Sequence, residues 1–207
     1  MTSPAPLVVI DAAEKRYGGR TVLHIDGFRL DDGDRLLLLG QNGSGKSTFL
    51  RVLAGATILT RGRLTRSPLM RSLRVGYVPQ SGGMYGDMTF AENLEIYCRL
   101  FGVSWTPERL TSVHFADALR PVAKLPIGQL SGGTQKLATL ACMLAVEPDA
   151  LLLDEPASDL DNQHAAELYS SLAELCTALR FIVVSTHDVR GLEFLHRRMV
   201  LDNGRFL

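Results

Sequence analysis

The stretch GQNGSGKST, Gly40 to Thr48, gives the clearest indication of the fold. It has the spacing GxxxxGK[ST], it follows the apolar run RLLLL, and it opens a helical pattern, KSTFLRVLAG. Glycines allow successive backbone N–H groups to converge on phosphate oxygens, and the helix N-terminus adds the positive end of its dipole. Lys46 would reach the β- and γ-phosphates, and Ser47 would bind Mg²⁺. The sequence therefore predicts a phosphate-binding loop between a strand and a helix.

The apolar pattern on both sides of this loop predicts an α/β domain. The runs ALLL (150–153) and FIVV (181–184) are continuous apolar strands, which a parallel sheet covered on both faces requires. Helical patterns separate these strands, and two β-rich segments, LVVIDAAEKRY and TVLHIDGFRL, precede them. We expect a P-loop NTPase core of mostly parallel sheet with helices on both faces, joined by an N-terminal antiparallel β subdomain.

Residues 80–129 differ from the rest of the chain, and we interpret them as an α-helical insert in a single domain spanning 1–207. The core would then consist of 1–79 and 130–207. In the insert, TFAENLEIYCRLFG and TPERLTSVHFADALR have Thr89 and Thr106 as candidate N-caps. Glu92 stands at the capping-box position and Pro107 at the first helical position. A further short helix is predicted near VRGLEFL.

The composition restricts the classes of partner. Twenty-two basic and 22 acidic residues give no net charge, so no overall field attracts nucleic acid. Apolar runs such as LLLL (36–39) are far shorter than the roughly 20 residues of a membrane span, and the N-terminus lacks the basic region of a secretory signal. We expect a cytoplasmic protein. Its three cysteines, Cys98, Cys142 and Cys176, are expected to be free, buried thiols.

Two apolar strands end in polar groups suited to phosphate chemistry. LLLDEP delivers Asp154 and Glu155 to the carboxyl edge of the sheet, where ligands bind in open α/β folds. Asp154 would hold Mg²⁺, and Glu155 could orient and polarise an attacking water. IVVSTHD delivers His187 to the same edge, where its ring could contact the γ-phosphate. In isolation such a histidine is more often a capping or packing residue.

Three further features indicate a function only in combination with the phosphate loop and these two strand ends. Tyr17, before a glycine pair, could stack on a purine base or be a strand-end tyrosine. Gln80 lies between the core and the insert, where it could touch Mg²⁺ or water and transmit that contact. GQLSGGTQKL, 128–137, places a second glycine pair at a helix start, so one chain contains two candidate phosphate sites.

Together GQNGSGKS, LSGG, LLLDEP and STHD, in this order, resemble the ATP-binding cassette of the ABC transporter family. The resemblance extends from Tyr17 to Gly204, although Thr134 replaces a common glutamine. It assigns adenine stacking to Tyr17, ATP binding to the Walker A loop, and catalysis to Lys46, Gln80, Glu155 and His187. Asp161 resembles the D-loop aspartate, and Mg²⁺ would be held by Ser47, Gln80 and Asp154. The residues implied to bind nucleotide are Tyr17, Gly40, Asn42, Gly43, Ser44, Gly45, Lys46, Ser47, Thr48, Ser131, Gly132, Gly133 and Asp161.

The resemblance also explains the second glycine pair. In this family two cassettes pair head to tail, and the LSGG helix start of one closes over the γ-phosphate held by the other. The partners implied are a second cassette, identical or related, and an integral membrane permease, with no nucleic acid. The protein would then lie at the inner face of the cell membrane.

Two other readings stay open at this point. A soluble ABC ATPase of cofactor assembly or DNA repair would share these motifs, although repair types carry long coiled coils that are absent here. A regulator that does not hydrolyse ATP would lack a catalytic group, whereas Glu155 and His187 are both present. The compact insert is similar to small bacterial export cassettes, so export is the expected direction, and the cargo is not encoded in this chain.

Overall fold

The computed structural model describes residues 5–110 and 113–207. The strands are β1 (Val8–Tyr17), β2 (Arg20–Leu30), β3 (Arg35–Leu39), β4 (Arg61–Arg66), β5 (Val75–Val78), β6 (Ala150–Asp154), β7 (Phe181–Thr186), β8 (Arg197–Asp202) and β9 (Arg205–Phe206). The α-helices are α1 (Lys46–Ala54), α2 (Pro68–Ser72), α3 (Phe90–Phe101), α4 (Gly132–Ala145) and α5 (Asn162–Cys176). Short 3₁₀ segments span Pro107–Leu110, His114–Val122 and Ile127–Gln129.

The strands form two sheets. An antiparallel sheet has the order β2-β1-β4, and a six-stranded sheet has the order β5-β6-β7-β3-β8-β9. All pairs in the larger sheet are parallel except β8 with β9. Because β6, β7 and β3 are neighbours, the loops that follow them leave from one edge of the sheet.

Buried side chains cover both faces of the larger sheet, as the continuous apolar strands predicted. Along β3, Leu36 and Leu38 point to the face covered by α1 and the antiparallel sheet, and Leu37 points to the opposite face. That opposite face packs against α4, with Leu140 and Leu144 fully or almost fully buried. The predicted α/β class, with helices on both faces and an antiparallel β subdomain, is therefore confirmed.

The first insert helix begins as predicted. The Oε2 atom of Glu92 accepts a hydrogen bond from the backbone N–H of Thr89 at 2.8 Å, and Thr89 Oγ1 accepts one from the N–H of Glu92 at 3.4 Å. The backbone N–H of Thr89 and its hydroxyl, which donates to the same Oε2 atom at 2.7 Å, favour the carboxylate and so hold the pKa of Glu92 below its usual value. α3 thus has the complete capping box that its sequence indicated.

The second insert helix was predicted wrongly. Two 3₁₀ segments replace the expected α-helix; Pro121, which has no N–H to donate, lies inside the longer one. Thr106 accepts a backbone hydrogen bond from Arg109 at 3.1 Å, in a single 3₁₀ turn. Residues 111 and 112 of the predicted helix lie outside the described residues.

Three smaller differences concern short elements. The helix expected near VRGLEFL is absent from this described stretch, which instead makes turns at 190–191 and 193–194, because so short a segment does not nucleate a helix easily. The sequence analysis missed α2, although Ser67 and Pro68 form an N-cap and first-position pair, and it missed the two-residue strand β9. The three cysteines are free and buried, as predicted.

Candidate functional site

The turn from β3 into α1 presents main-chain amides to a cleft. Gly45 caps α1 with φ of 109°, and no side chain makes a capping hydrogen bond there. A Cβ atom at position 45 would lie 2.8 Å from Leu23 Cδ2, so a larger residue would require the loop to shift. The N-terminus of α1 therefore begins at a glycine turn in the lining of this cleft, where its first N–H groups have no side-chain cap and can bind an anion.

This cleft has a volume of about 380 Å³. Most of the predicted phosphate loop lines it, together with one residue from each of three other parts of the fold: Val22, Gln41, Asn42, Gly43, Gly45, Lys46, Ser47, Thr48, Gln80 and Glu155. Gly40 and Ser44 belong to the same loop but are not in its lining, and Ser44 Oγ is buried without a hydrogen-bond partner among the described residues. The structure thus brings the loop, Gln80 and Glu155 into one cleft.

Lys46, the first residue of α1, is buried in this cleft. Its Nζ donates to the carbonyl oxygens of Gly40 at 2.7 Å and Gln41 at 3.2 Å. It also lies 3.2 Å from Glu155 Oε1, an ion pair without hydrogen-bond geometry. The ammonium group therefore stands between the phosphate loop and the carboxylate at the end of β6.

Asp154 ends β6 with one carboxylate oxygen bonded and the other free. Ser185, on the adjacent strand β7, donates its hydroxyl to Asp154 Oδ1 at 2.6 Å. Asp154 Oδ2 is buried and has no hydrogen-bond partner in the described part of the chain. A buried carboxylate oxygen without a donor suits a cation, so the donor set of Asp154 and Ser47 fits Mg²⁺. The sequence analysis missed Ser185, whose only signal was a serine at the end of the apolar run FIVV.

Glu155 combines burial, an unusual backbone and two charged contacts. Its φ is 46°, in the left-handed region that residues with a Cβ seldom adopt. Its backbone N–H bonds to Ser185 O at 3.0 Å and Ser185 Oγ at 3.2 Å, which holds this conformation. His187 Nδ1 lies 3.1 Å from Glu155 Oε2, which is within hydrogen-bond distance.

Two further predicted residues differ in their relation to the cleft. Gln80 lines the cleft and also a second cavity, of about 140 Å³, which residues of α4 line as well. Tyr17 is at the end of β1, is 45% exposed and is not in the lining of the cleft. The Lys15 ammonium lies 4.7 Å from the centre of its ring.

The predicted second phosphate site lies away from the first. Ser131 caps α4 by accepting from the N–H of Thr134 at 3.2 Å, and its Oγ lies 2.8 Å from the Thr134 hydroxyl. Neither Ser131, Gly132 nor Gly133 is in the described lining of the cleft. Asp161 caps α5 through the N–H of His164 at 2.9 Å, a bond that lowers the pKa of its carboxyl. Asp161 therefore has a structural role within α5, and its nucleotide role stays a prediction.

A glycine-rich loop at a helix start, beside a strand that ends in buried carboxylates, defines a P-loop nucleotide-binding domain. The ABC transporter family model matches residues 23–158, about two thirds of the chain. The chain belongs to the ABC transporter family.

Two curated relatives of known organism agree with this assignment. The Nod factor export ATP-binding protein I of Ralstonia nicotianae is 34% identical over 210 residues, which cover 97% of this chain and 65% of the relative. The protein of the same name from Paraburkholderia xenovorans is 34% identical over 212 residues, with 98% and 70% covered. The chain thus spans about two thirds of the length of these relatives.

Solved structures show the same fold. A dimeric bacterial ABC transporter cassette superposes with a TM-score of 0.82 at 24% identity, covering 96% of both chains. A post-hydrolysis cassette dimer bound to ADP and Pi gives 0.81 at 24% identity, again with 96% of each chain covered. Within the described ranges of the present chain, no helix has the length and apolar character to cross a membrane.

Proposed function

We propose that this chain is an ATPase subunit that pairs head to tail with a second cassette around two ATP molecules and powers export through a separate membrane-spanning partner. The observation that carries the proposal is the separation of the two phosphate sites. Lys46 and Glu155 meet in one cleft, with Asp154 buried directly before Glu155, whereas Ser131, Gly132 and Gly133 are not in the described lining of that cleft. Each chain would thus contribute two half-sites, which a symmetric pair completes.

Within one site we propose the following roles. The amides of the Gly40–Thr48 loop and the Lys46 ammonium bind the phosphates, and Tyr17 stacks on the base. Ser47, Gln80 and Asp154 would hold Mg²⁺, whose charge neutralises phosphate oxygens when it is bound. Glu155 accepts hydrogen bonds from the attacking water and orients it, and Lys46 and His187 hold its carboxylate in place.

From the partner chain, the Ser131 hydroxyl and the amides of Gly132 and Gly133 would approach the γ-phosphate. Ser131 and Gly132 are exposed at the start of α4, whose dipole favours an anion there. Asp161 would lie next to this junction. Because ATP would be part of the interface, its binding favours the closed pair and its hydrolysis releases it.

The decisive experiment is ATP-dependent dimerisation of purified chains. Glu155→Gln should bind ATP, lose hydrolysis by about a hundredfold or more, and accumulate as a dimer. Glu155→Gln combined with Ser131→Arg should bind ATP as a monomer but not dimerise, because the arginine meets the partner's nucleotide. Thr177→Arg, at the exposed cap of α5, is the matched control and should still dimerise. Loss of monomer binding in the Ser131→Arg variant would refute the trans assignment.

The proposal of export rests on the curated relatives, whose names describe export proteins. The domain division into 1–79, 80–129 and 130–207 is also a proposal, with the 80–129 insert carrying the partner contact. An apolar groove of about 730 Å³ on this insert, lined by Leu94 and the half-exposed Trp105, supports this placement.

Membranes of the native host, solubilised gently, test the partner directly. A tagged chain should retain an integral membrane protein in stoichiometric amount, which would place the chain at the inner face of the membrane. Recovery with non-membrane partners alone would favour an assembly or repair ATPase instead.

A further inference from the structure

Lys136 is a buried cation that the proposed mechanism does not use. It lies in the second turn of α4, and only 6% of its surface is exposed. A positive charge near a helix N-terminus opposes the helix dipole, and burial of an ammonium group is costly without partners. Burial lowers the pKa of Lys136, while Asp154, Asp159 and Glu155 act in the opposite direction. Its position therefore needs a specific set of contacts.

Three main-chain carbonyl groups provide those contacts. Lys136 Nζ donates to Pro79 O and Gln80 O, both at 2.8 Å, and to Asp154 O at 3.4 Å. The first two oxygens belong to the segment that leaves β5, and the third ends the adjacent strand β6. One side chain of α4 thus ties together the Gln80 loop and the strand that carries the buried carboxylates.

The same helix start also contacts the loop after Glu155. The Cα of Gly133 approaches Asp159 so closely that a Cβ atom would lie 2.6 Å from the Asp159 carbonyl oxygen. The first turns of α4 therefore touch both loops of the chain's own cleft, while Ser131 and Gly132 stay exposed. A movement of either loop would be passed to the exposed helix start.

We propose that Lys136 is a positioning residue. It couples the nucleotide cleft of its own chain to the start of α4, which this chain would present to the nucleotide of the partner chain. This inference rests on the proposed head-to-tail pairing. Binding at one site would thereby set the position of the Ser131 half-site used by the other. The two sites of a pair would be coupled through one ammonium group in each chain.

The test measures monomer binding and dimerisation separately in the Glu155→Gln background. A fluorescent mant-ATP analogue reports nucleotide binding by the monomer, and sedimentation with ATP and Mg²⁺ reports the dimer. Adding Lys136→Met should leave the mant-ATP affinity within about threefold, because no nucleotide contact is lost, but raise the ATP concentration for half-maximal dimerisation by about tenfold or more. Lys136→Arg should restore dimerisation to within about threefold, since the adjacent cavity of about 140 Å³ can accept the larger guanidinium.

Thr139→Val provides the matched control. Thr139 is 3% exposed, lies one turn further along α4 and lines the same cavity, but among the described residues its hydroxyl bonds to Gln135 O alone, within its own helix. This variant should match the parent in both assays, whatever its thermal stability. If Lys136→Met does not fold, Lys136→Gln takes its place with the same expectation.

Three results would overturn the coupling role. If Lys136→Met dimerises as well as the parent, Lys136 has no coupling role. If Lys136→Met loses mant-ATP binding to the same extent as dimerisation, Lys136 acts directly in the nucleotide site of its own chain. Failure of Lys136→Arg to restore dimerisation would also contradict it. A parent protein that binds mant-ATP but never dimerises would instead refute the proposed function, and the coupling role with it.

Discussion

The two glycines that open α4 are expected to respond oppositely to alanine. A Cβ atom at Gly133 would lie 2.6 Å from the Asp159 carbonyl oxygen, well below the roughly 3.5 Å of an ordinary contact. At Gly132 a Cβ atom would meet nothing within 4 Å. The contacted atom belongs to the backbone, so it cannot rotate away as a side chain would. Either the helix start or the loop after Glu155 must move.

Overpacking of this kind costs about 1–3 kcal/mol. For a chain of 207 residues, Gly133→Ala should lower the melting temperature by roughly 2–10 °C. Gly132→Ala introduces a better helix former into open space, so it should leave the melting temperature unchanged or raise it by about 1–3 °C. In the proposed pair, however, its methyl group would face the partner's nucleotide. Gly132→Ala should therefore lose hydrolysis without losing stability.

Differential scanning calorimetry without nucleotide and steady-state hydrolysis at saturating ATP separate the two effects. If Gly133→Ala melts at or above the temperature of Gly132→Ala, the close contact with Asp159 does not destabilise the fold, and this prediction is wrong. If Gly132→Ala hydrolyses ATP at the parental rate, the exposed position 132 does not face the partner's nucleotide, and the second half of the prediction is wrong.

Two further predictions concern single side chains, one proposed to bind the base and one that supports Asp154 and Glu155. Tyr17→Ala should weaken mant-ATP binding by about tenfold, since base stacking contributes about 1–3 kcal/mol. The melting temperature should not change, because the ring is half exposed. Unchanged mant-ATP binding would exclude the stacking role of Tyr17. Ser185→Ala removes the hydrogen bonds to Asp154 Oδ1 and from the Glu155 N–H. The Mg²⁺ concentration for half-maximal hydrolysis should therefore rise about 10- to 100-fold. A Mg²⁺ titration that shows no rise would exclude a supporting role of Ser185 at the metal site.

Local rules predicted those parts of the fold that depend on short-range patterns. The continuous apolar runs of β6 and β7 require burial on both faces, and the structure buries them completely. Thr89 and Glu92 determine the start of α3 by two hydrogen bonds between residues three apart. The second insert helix was predicted from apolar residues that suit a helix, but the segment His114–Val122 is a 3₁₀ helix that packs against α4 and α5. Tertiary contacts decided that segment.

Residues of the cleft were predictable where a motif specifies them. Lys46 and Glu155 were singled out from the motifs GQNGSGKS and LLLDEP, and the sheet order brings the ends of the strands that precede them to the same edge. Ser185 and Lys136 were not singled out, since a serine on an apolar strand and a lysine on a helix are common. Their partners, Asp154 Oδ1 and Gln80 O, are 31 and 56 residues away. Only the assembled fold reveals such contacts.

The end of β6 concentrates features that oppose folding. Glu155 has a left-handed backbone that costs about 1–2 kcal/mol, and its charged group is almost fully buried. Asp154, one residue earlier, keeps a buried oxygen without a donor. A glycine at 155 and an apolar residue at 154 would remove the left-handed strain, the buried Glu155 carboxyl group and the oxygen without a donor. Both residues would still suit a buried strand β6. Folding alone therefore gives no reason for this pair, whereas a site that must orient water beside bound phosphate and metal requires both carboxylates at this edge.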